Sequence, residues 1–382
     1  MSYLLSIIIP TRNRTYYCLE AVKEILEVCN ILKTKQIEIV IQDNSDTDSL
    51  KESILALNAD NIKYNYTSKI LSFVDNFSEA VSLATGEYLC MIGDDDGILP
   101  NILEEVYKAK EKNIHSIIPS LNAVYIWPMK DSIVANGDNG YLYTAYVNKE
   151  STIISTSDSL YKMLSNGGQN YQNCDMPRLY HGIIHRSLID KVYAKTNCYF
   201  GGLTPDIYMA TALTFVCDKS IKLGYPITIS GICTGSGSAN SAQGKHTGEL
   251  SDAPHFIGHD NYEWEDIVPQ IYTVETIWAD TALHAVRDFN AEKTNNFNVA
   301  SLLAHCYQKY PQFKKRLNVF KKEHKISGFN IFKKRISFFA IPFVKRVVRR
   351  LVRTKKDVFK AYDVKTVSDA QKVISEHFSN KG

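Results

Sequence analysis

With 382 residues the chain is long enough for one large domain with an appendage or for two domains, and 45% hydrophobic against 22% charged residues excludes wholesale disorder. Its eight cysteines, at 18, 29, 90, 174, 198, 217, 233 and 306, form no CxxC pair and no regular spacing, which argues against a disulfide framework or zinc site and for reduced, buried thiols. The net charge of +3 conceals a polarity: residues 309–356 hold seventeen Lys or Arg and one acid, Glu323, so this stretch carries +16 and the remainder −13, an asymmetry that points to nucleic acid or an anionic membrane surface.

The first residues lack the basic start and cleavage site of a signal peptide, and their apolar run is too short to span a bilayer. They read instead as a strand over 4–9, followed by a helix over 16–32 and a strand over 37–41, a βαβ unit. Asp43 to Asp48 is rich in turn formers and helix caps, and a helix over 49–57, a strand over 62–66 and a helix over 73–84 follow. A strand over 88–92, a helix over 100–112 with Pro100 at its start, and a strand over 116–118 continue the rhythm. Such alternation predicts an α/β fold with a mainly parallel, doubly wound sheet flanked by helices.

The strand at 88–92 stops abruptly at Asp94, Asp95 and Asp96. A buried strand thus delivers concentrated negative charge to the rim where open α/β sheets bind ligands. Three adjacent carboxylates repel one another until a cation or proton neutralises part of the charge. A hard divalent ion with oxygen ligands, Mg²⁺ or Mn²⁺, is the matching partner, and such ions usually carry substrate phosphates as well. The plain alternative is an acidic turn with Gly97 at its tip.

After Pro119 the regularity fades, and the Asn, Gly, Ser and Tyr of residues 120–175 suit a variable wall around a substrate pocket. A strand running into a helix is expected over 181–192, and a helix over 205–215 with Asp206 in its first turn. A short strand over 227–229 leads into a Gly/Ser-rich segment, 230–240, of the kind used for lids. Helical patterns dominate from residue 268. Over 332–353 the residues Phe332, Ile336, Phe339, Phe343, Val347 and Leu351 recur on one helical face, with Lys334, Arg335, Lys345, Arg346, Arg349 and Arg353 on the other. That is the pattern of a basic helix lying in a membrane interface, and charges interrupt every window that would otherwise span it. A helix packed on the body with a solvated basic face is the alternative.

The runs Ile7-Ile8-Ile9-Pro10-Thr11-Arg12-Asn13-Arg14, Ile39-Val40-Ile41-Gln42-Asp43-Asn44-Ser45-Asp46 and Ala80-Val81-Ser82-Leu83-Ala84-Thr85-Gly86-Glu87-Tyr88, with Asp94-Asp95-Asp96, Ile98 and Pro100, resemble the family 2 glycosyltransferases of the GT-A fold. The resemblance covers residues 4–100 well and 178–210 more loosely. It implies a Rossmann-like domain over 1–265, with a nucleotide-sugar half over 1–119 and an acceptor half with a lid loop over 120–265, and a helical basic region over 266–382. By resemblance Asp43 accepts the ring N–H of uracil, Pro10, Thr11 and Arg14 line the same nucleotide pocket, and Asn76 and Asp75 touch ribose or metal-bound water, unless they merely cap a helix. Asp95 and Asp96 fall on the family's adjacent carboxylates, Gly93 stands where a further Asp is common, and the register is open by one residue. On this reading Asp96 ligates the metal directly, Asp94 is the ribose or second metal contact, and Asp95 is in reserve. His246 adds a late-loop ligand, with His255 its competitor. Asp206 falls where inverting members carry the general base, although the Glu that usually precedes it is Pro205 here; a helix N-terminal Asp is the alternative.

The expected protein is therefore a metal-dependent inverting enzyme using Mn²⁺ or Mg²⁺. It would transfer sugar from a UDP-sugar to a glycan or lipid-linked acceptor in cell-surface polysaccharide synthesis, as a cytoplasmic protein held peripherally on the inner face of an anionic membrane. No nucleic acid partner is expected. A nucleotidyltransferase making activated sugars is the first rival, but it would want glycines in the loop Thr11-Arg12-Asn13-Arg14. A non-enzymatic membrane or nucleic-acid module using the basic stretch is the second.

Overall fold

The computed structural model describes residues 3–121, 123–129, 137–145, 150–236, 247–259, 262–338 and 358–379. Every residue of β1 (Leu5–Thr11) and β2 (Ile37–Asp43) is buried, as befits central parallel strands covered on both faces. Between them α1 (Thr15–Leu32) lays Cys18, Val22, Ile25 and Cys29 on the sheet at helical spacing and ends at Lys33 in a left-handed conformation. The chain continues through α2 (Leu50–Leu55), β3 (Ile62–Tyr66), α3 (Phe73–Leu83), β4 (Tyr88–Met91), the two-residue β5 (Gly97–Ile98), α4 (Ile102–Glu111) and β6 (Ser116–Ile118). Strands β3, β2, β1 and β4 pair in parallel, the expected mainly parallel sheet flanked by helices.

Residues 120–175 are more regular than expected. They contain β7 (Ala123–Ile126), β8 (Tyr141–Ala145), β9 (Ser151–Ser155) and α5 (Ser159–Ser165). After them come β10 (Ile183–His185), α6 (Arg186–Thr196), α7 (Pro205–Leu213), β11 (Lys219–Leu223) and β12 (Thr228–Ile232). The main sheet is completed in the order β3-β2-β1-β4-β10-β6-β11-β9, with β10 antiparallel to both neighbours. The start of the segment read as a lid is thus strand, because its N–H groups are committed to β7 and to the carboxylate loop.

A small pair, β13 (Thr247–Gly248) with β14 (Tyr272–Thr273), precedes the helix Val274–Asn290, which opens on a Thr273/Thr276 capping box. Packing is continuous across residue 265: Leu160, Tyr171 and Ile207 share one core with Leu283, Leu302 and Ile331. The helical run after 268 is interrupted by β15 (Val358–Tyr362), which pairs antiparallel with β8 and completes a second sheet, β15-β8-β7-β12-β5. The following helix, Val367–Ser379, buries Val367, Ala370 and Ile374 against Leu99, Trp127 and Ile229 of that sheet's surroundings. All eight cysteines are free, and seven of them are buried. Among the described residues no helix is long and apolar enough to cross a membrane.

Candidate active site

The register Ile8↔Met91 and Thr11↔Asp43 brings the ends of β1, β2 and β4 to one edge of the sheet, and the loop after β4 carries the three aspartates there, all buried. Asp94 is held by the Thr11 hydroxyl at 2.7 Å on Oδ2 and by Arg14 Nη1 at 2.5 Å on Oδ1. The same guanidinium nitrogen lies 3.5 Å from Asp95 Oδ1. Burial works against the charge on Arg14, but Asp94 and Asp95 outweigh it and hold the guanidinium more firmly protonated than usual.

Asp96 is the most heavily engaged of the three. Its Oδ2 accepts the Gly93 N–H at 2.5 Å and the Tyr180 hydroxyl at 3.2 Å, with His181 Nε2 at 3.2 Å, while Oδ1 accepts the Gly231 N–H at 2.6 Å. Burial opposes its ionisation, yet His181 and the two backbone donors win and hold it below the usual carboxylate range. His181 is itself steadied through Nδ1, 2.9 Å from the Thr228 hydroxyl. Asp95 has fewer partners: its Oδ2 accepts the Cys233 N–H at 3.2 Å, and its carbonyl oxygen accepts Trp127 Nε1 at 2.8 Å. Burial, followed by the charges of Asp96 and Asp94, pushes this carboxyl up to about 8.

Two glycines are required by close approach. A Cβ at Gly231 would stand 1.8 Å from the Asp95 carbonyl oxygen, so β12 can press on the loop only there. At Gly93 it would meet Asp96 Oδ2 and the Tyr180 hydroxyl, each at 2.9 Å, so those two groups fill the space that a larger residue would claim.

Asp206 lies in the first turn of α7, behind Thr204 and Pro205. Its one side-chain donor is the Tyr171 hydroxyl, 2.9 Å from Oδ2. Burial raises its pKa, and the Tyr171 hydroxyl and the Ile207 N–H pull the other way. The carboxylate opens on a narrow crevice that Phe77, Met91, Leu179, Tyr180 and Phe200 also line. Tyr180 therefore belongs to both places: its ring walls the crevice and its hydroxyl rests on Asp96. Burial first, then Asp96, Asp95, Asp94 and Asp206, keep that phenol protonated.

Residues 6–161 match Glycosyl transferase family 2. Over that stretch the chain is similar to the family 2 glycosyltransferases. It is 27% identical over 122 residues to Glycosyltransferase GlyG of Streptococcus pneumoniae serotype 4; the match covers 31% of this chain and spans about two fifths, 39%, of GlyG. Among solved structures it is similar to S. aureus TarS 1–349 in complex with UDP, at 14% identity over 88% of this chain and 91% of that one, with a TM-score of 0.45. The complex of TarS 1–349 with UDP-GlcNAc gives 13% identity, 88% and 92% coverage and a TM-score of 0.47.

At this edge of the sheet the expected site residues fare unequally. Pro10 and Thr11 end β1 beside Asp43, whose Oδ1 accepts the Ser45 N–H and whose Oδ2 accepts the Tyr64 hydroxyl, both at 2.8 Å. Asp75 caps its own helix with Ser72, the alternative foreseen for it. Asn76 is different: its amide nitrogen reaches the Thr11 carbonyl at 3.4 Å, and its buried Oδ1 has no hydrogen-bond partner. His246 lies outside the described residues. His255 stacks on Phe73 at 5.3 Å between ring centroids.

Of the expected metal set, Asp96 and Asp94 lie together in the loop and His246 is outside the described residues; among the described residues no group of three His, Cys, Asp or Glu side chains is disposed to hold a metal. Both oxygens of Asp96 accept from protein donors, Oδ1 from the Gly231 N–H alone, so Oδ1 keeps a lone pair that a cation could take. Asp94 is spent on Thr11 and Arg14. The donor chemistry does suit a hard cation at Asp95, a carboxyl pushed up by burial and by the charges of Asp96 and Asp94. Reasoning from sequence missed Tyr171, Tyr180, His181 and Gly231 as members of the site. Tyr180 and His181 carried a signal, since they lie within 178–210, the stretch over which the looser resemblance runs.

Proposed function

We propose that this protein is an inverting glycosyltransferase that moves a sugar from a nucleoside diphosphate sugar, UDP by preference, to a hydroxyl of a glycan or lipid-linked acceptor in cell-surface polysaccharide synthesis. The reading is supported by the family match and by the name of GlyG, and one observation carries it. Tyr180 joins Asp96, the carboxylate held ionised at the sheet edge, to a crevice whose lone carboxylate, Asp206, has a raised pKa. In an inverting transfer the acceptor oxygen attacks the anomeric carbon as its proton passes to a base and the bond to the diphosphate breaks. Asp206 is the carboxylate suited to take that proton, with Tyr171 fixing its orientation, and base catalysis of this kind is worth about 10²–10⁴ in rate.

Arg14 supplies the fixed positive charge beside the diphosphate position, and Asn76 offers a buried acceptor to a ribose hydroxyl. Asp43, with lone pairs beyond those given to Ser45 and Tyr64, can still accept the N–H of a uracil ring. Asp95 would hold Mn²⁺ or Mg²⁺, which supplies charge to the departing diphosphate. The basic stretch would keep the enzyme peripherally on the inner face of an anionic membrane, near a lipid-linked acceptor.

A panel of nucleotide sugars with Mn²⁺, scored for hydrolysis and for thermal stabilisation, tests the donor. UDP-sugars are expected to raise the melting temperature and to be hydrolysed slowly. If no nucleotide sugar does either, the enzymatic reading fails.

A further inference from the structure

The helix over 328–338 has two apolar faces. Ile331 is buried in the core, Phe338 stacks on the His305 ring at 4.0 Å, and Lys334 Nζ donates to the Ser165 carbonyl at 3.3 Å, so these positions, spaced i, i+3 and i+7, look inward. Phe329, Phe332 and Ile336, with the same spacing one-half turn away, are 62%, 58% and 49% exposed. A helix that is apolar on both sides has a use for both, and the core accounts for only one of them.

The surroundings of the second face say what it meets. Residues 314–338 hold nine Lys or Arg and a single acid, Glu323. Lys325, Lys333 and Arg335 are exposed, and Lys333 Nζ lies 4.4 Å over the Phe329 ring, so cation and aromatic already share one surface. We infer that the outward face of this helix, Phe329, Phe332 and Ile336 rimmed by Lys325, Lys333 and Arg335, is a docking surface for an anionic lipid membrane. The inference rests on the membrane reading proposed above and assigns it to particular residues. A single-stranded nucleic acid would also use aromatics among cations. The aliphatic Ile336, and Val319 in the preceding helix at 56% exposure, favour lipid, because neither can stack a base or pair a phosphate.

The test uses the full chain with vesicles of phosphatidylcholine alone and of phosphatidylcholine with phosphatidylserine. The wild type should sediment with the anionic vesicles. Phe329→Ser combined with Phe332→Ser should weaken that binding by about tenfold or more, since two exposed aromatics lose their burial in the interface. Lys333→Glu should weaken it by roughly fivefold or more, from the loss of one cation near the surface. All three side chains are exposed, so an unchanged melting temperature is expected and serves as the check on folding. Wild-type affinity in the double-serine variant would overturn the inference while leaving the membrane reading intact. A wild type that binds neither vesicle overturns both. Tighter binding to a single-stranded oligonucleotide than to vesicles, or a dimer that only the double-serine variant dissolves, gives the face to another occupant and overturns it too.

Discussion

The aspartate triplet is buried and Asp206 half-buried, and Asp96 and Asp206 are held in opposite ways. The triplet draws donors from Thr11, Arg14, Tyr180 and His181 and from the backbone of Gly93, Gly231 and Cys233, groups scattered through the first 233 residues. Asp206 has one phenol and the start of its own helix. A carboxylate surrounded by donors, as Asp96 is, is a fixed charge and a poor proton acceptor. One with few donors in an apolar crevice keeps its basicity. The first arrangement suits the binding of a charged donor substrate, and the second suits moving a proton.

The contrast breaks most visibly at Asp96. Asp96→Ala leaves His181 and the Gly93 and Gly231 N–H groups buried without their acceptor, which should cost roughly 3–5 kcal/mol of stability. Denaturant melts measure it. A variant as stable as the wild type that has lost Mn²⁺-dependent UDP affinity would return Asp96 to the role of metal ligand. Asp206→Asn keeps the shape and removes the basicity, so transfer should fall by about 10²-fold while donor affinity, read by calorimetry, barely moves. A rate equal to the wild type would remove Asp206 from the chemistry.

The smallest change is Tyr171→Phe. The hydroxyl it deletes lowers the Asp206 pKa, so that pKa should rise further in the variant. A base works only when ionised, and activity is lost as the pH falls through its pKa. The acid limb of the pH–rate profile should therefore move to higher pH, with less than about a tenfold change at the optimum. A limb that stays in place would mean that Tyr171 orients nothing that titrates in the reaction.

The part of the fold up to Ile118 was legible because its signals are local: apolar strands and amphipathic helices alternate, and β3 and β6 fall on the expected residues. The second sheet was not, for the opposite reason. β5 is two residues long, and β15 finds its partner β8 more than two hundred residues earlier, a pairing that leaves no mark in either segment alone. The site divides in the same way. Three consecutive aspartates announce a ligand edge, but which of their oxygens is occupied depends on residues 180, 181 and 231. Asp206 was legible through the resemblance and its place after Pro205, whereas its partner Tyr171 sits in a stretch whose composition reads as loop.

The helix Val367–Ser379 gives the chain a timetable. It packs on α1, and Val367 lies over Gly97, the residue next to Asp96, so the aspartate loop is backed by a part of the chain made more than two hundred residues later. At ribosomal speeds of about 5–20 residues per second, roughly a quarter of a minute to a minute separates the emergence of that loop from the arrival of its brace. During that interval the most charged turn of the protein lacks its apolar backing. A ribosome stalled before β15 would hold a chain with every carboxylate of the site already made and the loop that carries three of them still unsupported.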